Sequence, residues 1–198
     1  MCWLLPLLAL LSTTGEPLHL PPDFILVAHR GVTDTDAKEN SLAAFEAAVV
    51  RGYTHVEVDV RCTRDGYPVI LHDRSLRRTT GVDRNVDDLT LEALRQRVPQ
   101  DQVPGFDTVC ARAAGRIGLM LDIKGCPAGL RDIFARRLER PLRAHRLLEN
   151  ALFIGDADTG RAFRGSALLA WGASLQRAKA SALWNQQPGE EFFIFGHA

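Results

Sequence analysis

A chain of 198 residues, 46% hydrophobic and 24% charged, is long enough for one folded domain with a full core. Lys plus Arg equals Asp plus Glu at 24 each, so the formal net charge is zero, and the basic surplus of a nucleic-acid binder is absent. The four cysteines, Cys2, Cys62, Cys110 and Cys126, have no C-x-x-C or zinc-like spacing, which argues against a structural zinc site and leaves a single disulfide open.

In chain order, Trp3 to Leu11 is an apolar run followed by Ser12-Thr13-Thr14-Gly15-Glu16. Residues 1–20 read as a signal-like leader without a basic start, or as an extension that packs on the core. Export and a cytoplasmic location both stay open. The run is too short to span a bilayer. The remainder, 21–198, reads as one domain. Phe24-Ile25-Leu26-Val27-Ala28 forms a first strand, and Ser41 to Arg51 a helix that Asn40 or Ser41 caps and Gly52 ends. His55 to Val60 is a second strand with its valines on one face and His55, Glu57 and Asp59 on the other. After a turn at Thr63-Arg64-Asp65-Gly66, Pro68 to Leu71 is a third strand ending at His72-Asp73.

Residues 73–87 are polar and turn-like; Thr90 caps a short helix, and a further helix covers about 106–114. Ile117 to Ile123 is a fourth strand with Asp122 and Lys124 on one face, and Leu130 to Leu148 is helical, interrupted at Pro141. Arg136, Arg137, Arg140, Arg143 and Arg146 recur on it as a solvated face. Leu152 to Ile154, Ala167 to Trp171 and Phe192 to Phe195 complete seven candidate parallel strands. Strands alternating with helices predict an α/β fold of the TIM-type (β/α) barrel class, incomplete at its C-terminus and open beside its first strand, an edge expected to self-associate.

The ends of the early strands collect two histidines, three acids, an arginine and a lysine: His29, Arg30, Glu57, Asp59, His72, Asp122 and Lys124. Two carboxylates side by side on a buried strand repel and lose hydration, and a divalent cation between them relieves both costs. Oxygen ligands suit one Mg²⁺ or Ca²⁺ ion. Arg30 and Lys124 suit a phosphate, and His29 and His72 suit divided acid and base duties. Together these residues point to phosphodiester hydrolysis.

The stretch from Val27 to Thr80 resembles the glycerophosphodiester phosphodiesterase family. The motifs are His29-Arg30-Gly31, Glu39-Asn40-Ser41, Glu57-Val58-Asp59-Val60, Thr63-x-Asp65-Gly66, His72-Asp73 and Arg78-Thr79-Thr80, followed by Leu121-Asp122-Ile123-Lys124. The resemblance implies a TIM barrel, a divalent cation and hydrolysis of a small glycerophosphodiester to glycerol 3-phosphate and an alcohol. It implies His29 and His72 as the catalytic pair and Glu57, Asp59 and Asp122 as metal ligands. Arg30 and Lys124 would be substrate-binding residues and Asn40 a brace at the rim. Asp122 departs from the family's more usual Glu. The family's late Trp-Thr-Val-Asn, Thr-Asp and Ser-Phe elements are not found after residue 150, where Gly155-Asp156 stands instead. Two other readings follow: a related phospholipase D acting on lysophospholipids or sphingomyelin, and a truncated, catalytically silent binding protein. Membrane association is compatible with all of these and required by none.

Overall fold

The computed structural model describes residues 25–33, 36–155 and 193–196. The leader candidate and the strand candidate at 167–171 lie outside them. β1 (Ile25–Ala28) leads through a turn into α1 (Leu42–Val50), β2 (His55–Cys62) and β3 (Pro68–Ile70). A segment of short helices follows, α2 (Arg77–Thr80) and α3 (Leu91–Arg95), then α4 (Phe106–Ala113), β4 (Gly118–Ile123), α5 (Arg131–Ala144), β5 (Leu152–Gly155) and β6 (Phe193–Gly196).

The strands run in the order β5-β4-β2-β1-β6, and every neighbouring pair on that path is parallel. This is the (β/α) barrel arrangement anticipated from the alternation of strands and helices. Two expectations need correction. β3 is not a parallel member of the barrel: it lies antiparallel on β2, with Val60 opposite Ile70 and Cys62 opposite Pro68. The reason is the connection. Thr63 N–H donates to Tyr67 O at 2.9 Å and Gly66 turns the chain at φ 81°, and a link this tight joins only antiparallel strands, because a parallel pair needs a long crossover. β1 is also not an open edge. Ile25 to Ala28 pair residue by residue with Phe193 to Gly196, so the last strand candidate fills the position expected to be vacant. Among the described residues the path ends at β5 and β6.

Alternation sorts the side chains. Val56, Val58 and Val60 of β2 and Leu119, Leu121 and Ile123 of β4 join one buried cluster with Phe45 of α1, Phe106 and Val109 of α4, and Phe134 and Leu138 of α5. The sheet's other face carries Glu57 and Asp59 of β2 with Met120 and Asp122 of β4. A second, smaller cluster built on Val69, Leu71, Leu76, Val86 and Leu94 gives the β3–α3 segment a core of its own. The caps match the sequence reading. Ser41 Oγ accepts from Ala44 N–H and Thr90 Oγ1 from Ala93 N–H, both at 3.1 Å, while Gly52 at φ 76° ends α1.

Gly31 fixes how β1 hands over to the site. At φ 81°, a Cβ there would stand 2.7 Å from the Ala44 backbone of α1. Gly81 has a similar φ of 79° with nothing within 4 Å. Gly31→Ala is therefore expected to cost on the order of 3 kcal/mol, strain plus overpacking, whereas Gly81→Ala should cost only about 1 kcal/mol of backbone strain. Urea melts of the two variants against wild type measure the difference.

Candidate active site

β2 and β4 are in register, so Asp59 stands directly beside Asp122 and Glu57 beside Met120. Glu57 is 2% exposed and Asp59 1%. One carboxylate oxygen from each of Glu57, Asp59 and Asp122 lies within 4.8 Å of the others. Burial pushes the Glu57 carboxyl up to about 8, and the negative charges of Asp59 and Asp122 add to that, against a hydrogen bond from the Arg30 backbone N–H.

Positive groups are drawn into this cluster. Lys124 Nζ lies 2.7 Å from Asp122 Oδ2 and 2.9 Å from Asp59 Oδ1. Burial pulls the ammonium's pKa down, but pairing with the two carboxylates outweighs it and the net shift is upward. Arg30 turns inward at φ 57°. Its N–H donates to Glu57 Oε2 at 2.9 Å, and its Nε lies 3.2 Å from Asp59 Oδ2. His29 Nε2 is 3.9 Å from Glu57 Oε2. Asn40 clamps Asp59 from both sides: its Nδ2 donates to Oδ2 at 2.8 Å and its Oδ1 accepts from the Asp59 N–H at 3.1 Å. The brace role expected of Asn40 is thus a direct grip on Asp59.

The hairpin returns His72 to the same neighbourhood. Leu71 N–H donates to Asp59 O at 2.9 Å, and the His72 carbonyl accepts from Arg61 Nε at 2.7 Å. His72 Nδ1 sits 2.7 Å from Asp73 Oδ1. The hydrogen bond from Arg78, reinforced by the one from His72, holds the Asp73 carboxyl far below the usual carboxylate range. Arg78 also donates to Glu39 Oε1 at 2.6 Å, and Glu39 lies 3.4 Å from Arg30 Nη1. Burial raises the Glu39 pKa, but the two arginines outweigh it and the net shift is downward. A chain of alternating charge therefore links His72 to Arg30 through Asp73, Arg78 and Glu39. Sequence reasoning gave no role to Asp73, Arg78 or Glu39. Their only signal was membership of the His72-Asp73, Arg78-Thr79-Thr80 and Glu39-Asn40-Ser41 motifs.

The carboxylate trio passes a simple test as a cation site. Asp59 Oδ1 is buried and receives no aligned hydrogen bond, although Lys124 Nζ is near it. An acceptor left so among three like charges is completed by a hard cation. Among the described residues this is the one group of three or more metal-ligating side chains that converges.

The glycerophosphoryl diester phosphodiesterase family model matches residues 29–128, half of the chain and all seven of the residues singled out above. The chain belongs to this family. It is 34% identical over 124 residues to glycerophosphodiester phosphodiesterase 1 of Rattus norvegicus, covering 54% of this chain and 37% of the rat protein. Against the glycerophosphodiester phosphodiesterase of Caldanaerobacter subterraneus it is 39% identical over 72 residues, covering 36% of this chain and 29% of that one. The chain thus spans under half the length of either relative. Among solved structures, the Thermotoga maritima glycerophosphodiester phosphodiesterase aligns with TM-score 0.59 at 27% identity, covering 72% of this chain and 59% of that one. A phosphodiesterase of Oleispira antarctica, in complex with the product sn-glycerol-3-phosphate, aligns with TM-score 0.60 at 26% identity, covering 80% and 73%.

Replacing Glu57 by Gln keeps an oxygen acceptor for the Arg30 N–H and removes one of the three like charges. The metal-free variant is expected to melt at or above the wild-type temperature. Wild type should gain stability on adding Mg²⁺ or Ca²⁺ and the variant should not. Thermal melts with and without each ion check both statements.

Proposed function

We propose that this protein is a metal-dependent phosphoric diester hydrolase that cleaves glycerophosphodiesters to glycerol 3-phosphate and an alcohol. The observation that carries the reading is the convergence of the Glu57, Asp59 and Asp122 oxygens within 4.8 Å, with His29 and Arg30 against them. The family match across residues 29–128 and the product bound in the Oleispira relative support the substrate class.

Glu57, Asp59 and Asp122 would hold one Mg²⁺ or Ca²⁺ ion, oxygen ligands for a hard cation. The chemistry supplied by the bound ion is stabilisation of negative charge developing on the phosphoryl oxygens. Arg30 and Lys124 bind the phosphate: the guanidinium has five donors, more than Glu39 and Asp59 occupy, and the ammonium acts as a mobile point charge. His72 is held by Asp73 through Nδ1, so that nitrogen carries the proton and neutral His72 presents its Nε2 lone pair. That tautomer suits His72 to accept a proton from the attacking nucleophile. His29, beside the Glu57 carboxylate, suits the reverse duty of protonating the departing alkoxide as the phosphorus–oxygen bond breaks. Asp73 then acts as a positioning residue for His72, with Arg78 holding Asp73. No helix among the described residues is long and apolar enough to cross a membrane.

Incubation with glycerophosphocholine should release glycerol 3-phosphate in the presence of Mg²⁺ or Ca²⁺ and stop in EDTA. His29→Ala and His72→Ala should each lower the rate on the order of 10²–10⁴-fold while keeping the wild-type circular dichroism spectrum. Turnover that persists in excess chelator, or His72→Ala at wild-type rate, would remove the assignment.

Asp73→Asn tests the positioning role. Loss of the carboxylate frees the His72 tautomer, and kcat should fall between about 10- and 100-fold, the common cost of removing a partner that orients a working histidine. The loss should fall on kcat, with KM and the circular dichroism spectrum unchanged. A loss carried by KM or by a smaller folded fraction would indicate a merely structural Asp73.

A further inference from the structure

Just past the site, at the end of β2 and beyond β4, two thiols meet. Cys62 Sγ and Cys126 Sγ are 2.9 Å apart, and both are free cysteines. They are brought together by the same parallel pairing that builds the site. The β2–β4 register runs to Val60 opposite Ile123, and Lys124 N–H donates to Val60 O at 3.0 Å. Since a disulfide bond is about 2.05 Å long, closing this pair needs a movement of only ~0.9 Å. Among the described residues no third metal-ligating side chain joins them, so a zinc site does not explain the contact. The pair is also within reach from outside. A cleft of about 280 Å³ is lined by both cysteines together with Arg61, Arg74 and Lys124. Cys126 is half-buried there, while Cys62 lies behind it, buried. Pairing with Cys62 lowers the Cys126 thiol pKa, helped by the charge of Arg131 and opposed by burial. Its greater exposure to the cleft, with that shift beside it, makes Cys126 the first sulfur to react.

We propose that Cys62 and Cys126 are a disulfide-forming pair, a covalent staple between β2 and β4 beside the carboxylate site, closed by exchange with a small anionic disulfide such as oxidised glutathione. In the first step the Cys126 thiolate attacks one sulfur of the oxidant, forms a mixed disulfide and expels one glutathione thiolate. In the second, the Cys62 thiol gives up its proton and attacks Cys126 Sγ, expelling the second thiolate. Two protein thiols are oxidised, one external disulfide is reduced, and the two protons end on the two released thiols. Arg61, Arg74 and Lys124 along the cleft outnumber Asp87, which pairs with Arg74, and favour an anionic oxidant over a neutral one. Because so little movement is needed, the staple holds the site strands where they already are. The crosslink constrains the unfolded chain across the whole β3–β4 segment, where such a bond has its main stabilising effect. The proposal stands apart from the hydrolase reading and needs no activity to test it.

The folded 198-residue chain is incubated with oxidised glutathione, denatured, alkylated and digested with trypsin. The expected product is the peptide Cys62–Arg64 linked to Gly125–Arg131, which dithiothreitol separates. The melting temperature should rise on the order of 5–10 °C on oxidation and return on reduction. Cys126→Ser should lose both signals and Cys2→Ser should keep both. Recovery of Cys62 and Cys126 as alkylated thiols after the incubation would overturn the proposal. So would a glutathione adduct that persists on Cys126 without the linked peptide. The wild-type peptide map decides the matter even where a serine variant fails to fold.

Discussion

Three carboxylates on the inner face of two adjacent parallel strands set the terms for everything around them. Glu57, Asp59 and Asp122 cannot all be ionised, dry and unpaired: at these separations their mutual repulsion alone would be several kcal/mol even at an effective dielectric of ~20. The surrounding structure consists of answers to that problem. Lys124 sits between Asp59 and Asp122, the Arg30 backbone and guanidinium turn in against Glu57 and Asp59, and Asn40 supplies both a donor and an acceptor to Asp59. The proton affinity of Glu57 is what remains uncompensated, and a divalent cation is the group that would complete it. The outer face of the same strands carries no such conflict, because its valines and leucines pack on α1, α4 and α5.

The hairpin is the second device. A barrel strand delivers residues to the rim only at its end, yet the site draws on groups from beyond it. β2 runs past the carboxylates to Cys62, turns, and comes back as β3, so that Leu71 hydrogen-bonds the Asp59 carbonyl and His72 follows. The β3–α3 segment has its own buried cluster, which gives that returning strand a firm backing. From it, Arg78, held by Asp73, reaches across to Glu39 on the loop after β1. The charge chain is thus also a strut between two loops that share no strand pairing.

Much of this was legible in the residues, and the reasons differ by element. α1 and α3 could be placed because Ser41 and Thr90 are strong caps whose chemistry is local. The face carrying Glu57 and Asp59 was readable because strand periodicity is strict. The same rule put Asp122 and Lys124 together on β4. The direction of β3 does not follow from alternation, yet its cause is local: the Thr63–Gly66 turn is too short to join parallel strands. The neighbour of β1 is hidden from the sequence for another reason. Which strand pairs with which is a tertiary fact, and the weakly patterned Phe193–Gly196 segment has no local feature that names its partner. Glu39 and Arg78 are 39 positions apart, and nothing in spacing or periodicity joins such a pair.

The turn after β1 shows how far the backbone itself is committed to the site. Arg30 and Asn40 both have positive φ, 57° and 58°, a conformation costly for residues with a Cβ, though Asn tolerates it better than Arg. Both lie in the loop that wraps the carboxylates, and a hydrogen bond from the Asn40 N–H to the Arg30 carbonyl at 2.9 Å ties the two strained residues to each other. The strain is held because each left-handed residue brings two groups inward at once. Arg30 contributes an N–H to Glu57 and a guanidinium to Asp59; Asn40 contributes both ends of one amide to Asp59. Gly31, pressed against α1, relieves the crowding that follows and lets the loop lie flat on the helix. His29-Arg30-Gly31 is therefore one mechanical unit, in which a glycine seats the loop, an arginine neutralises the acids and a histidine is left facing Glu57.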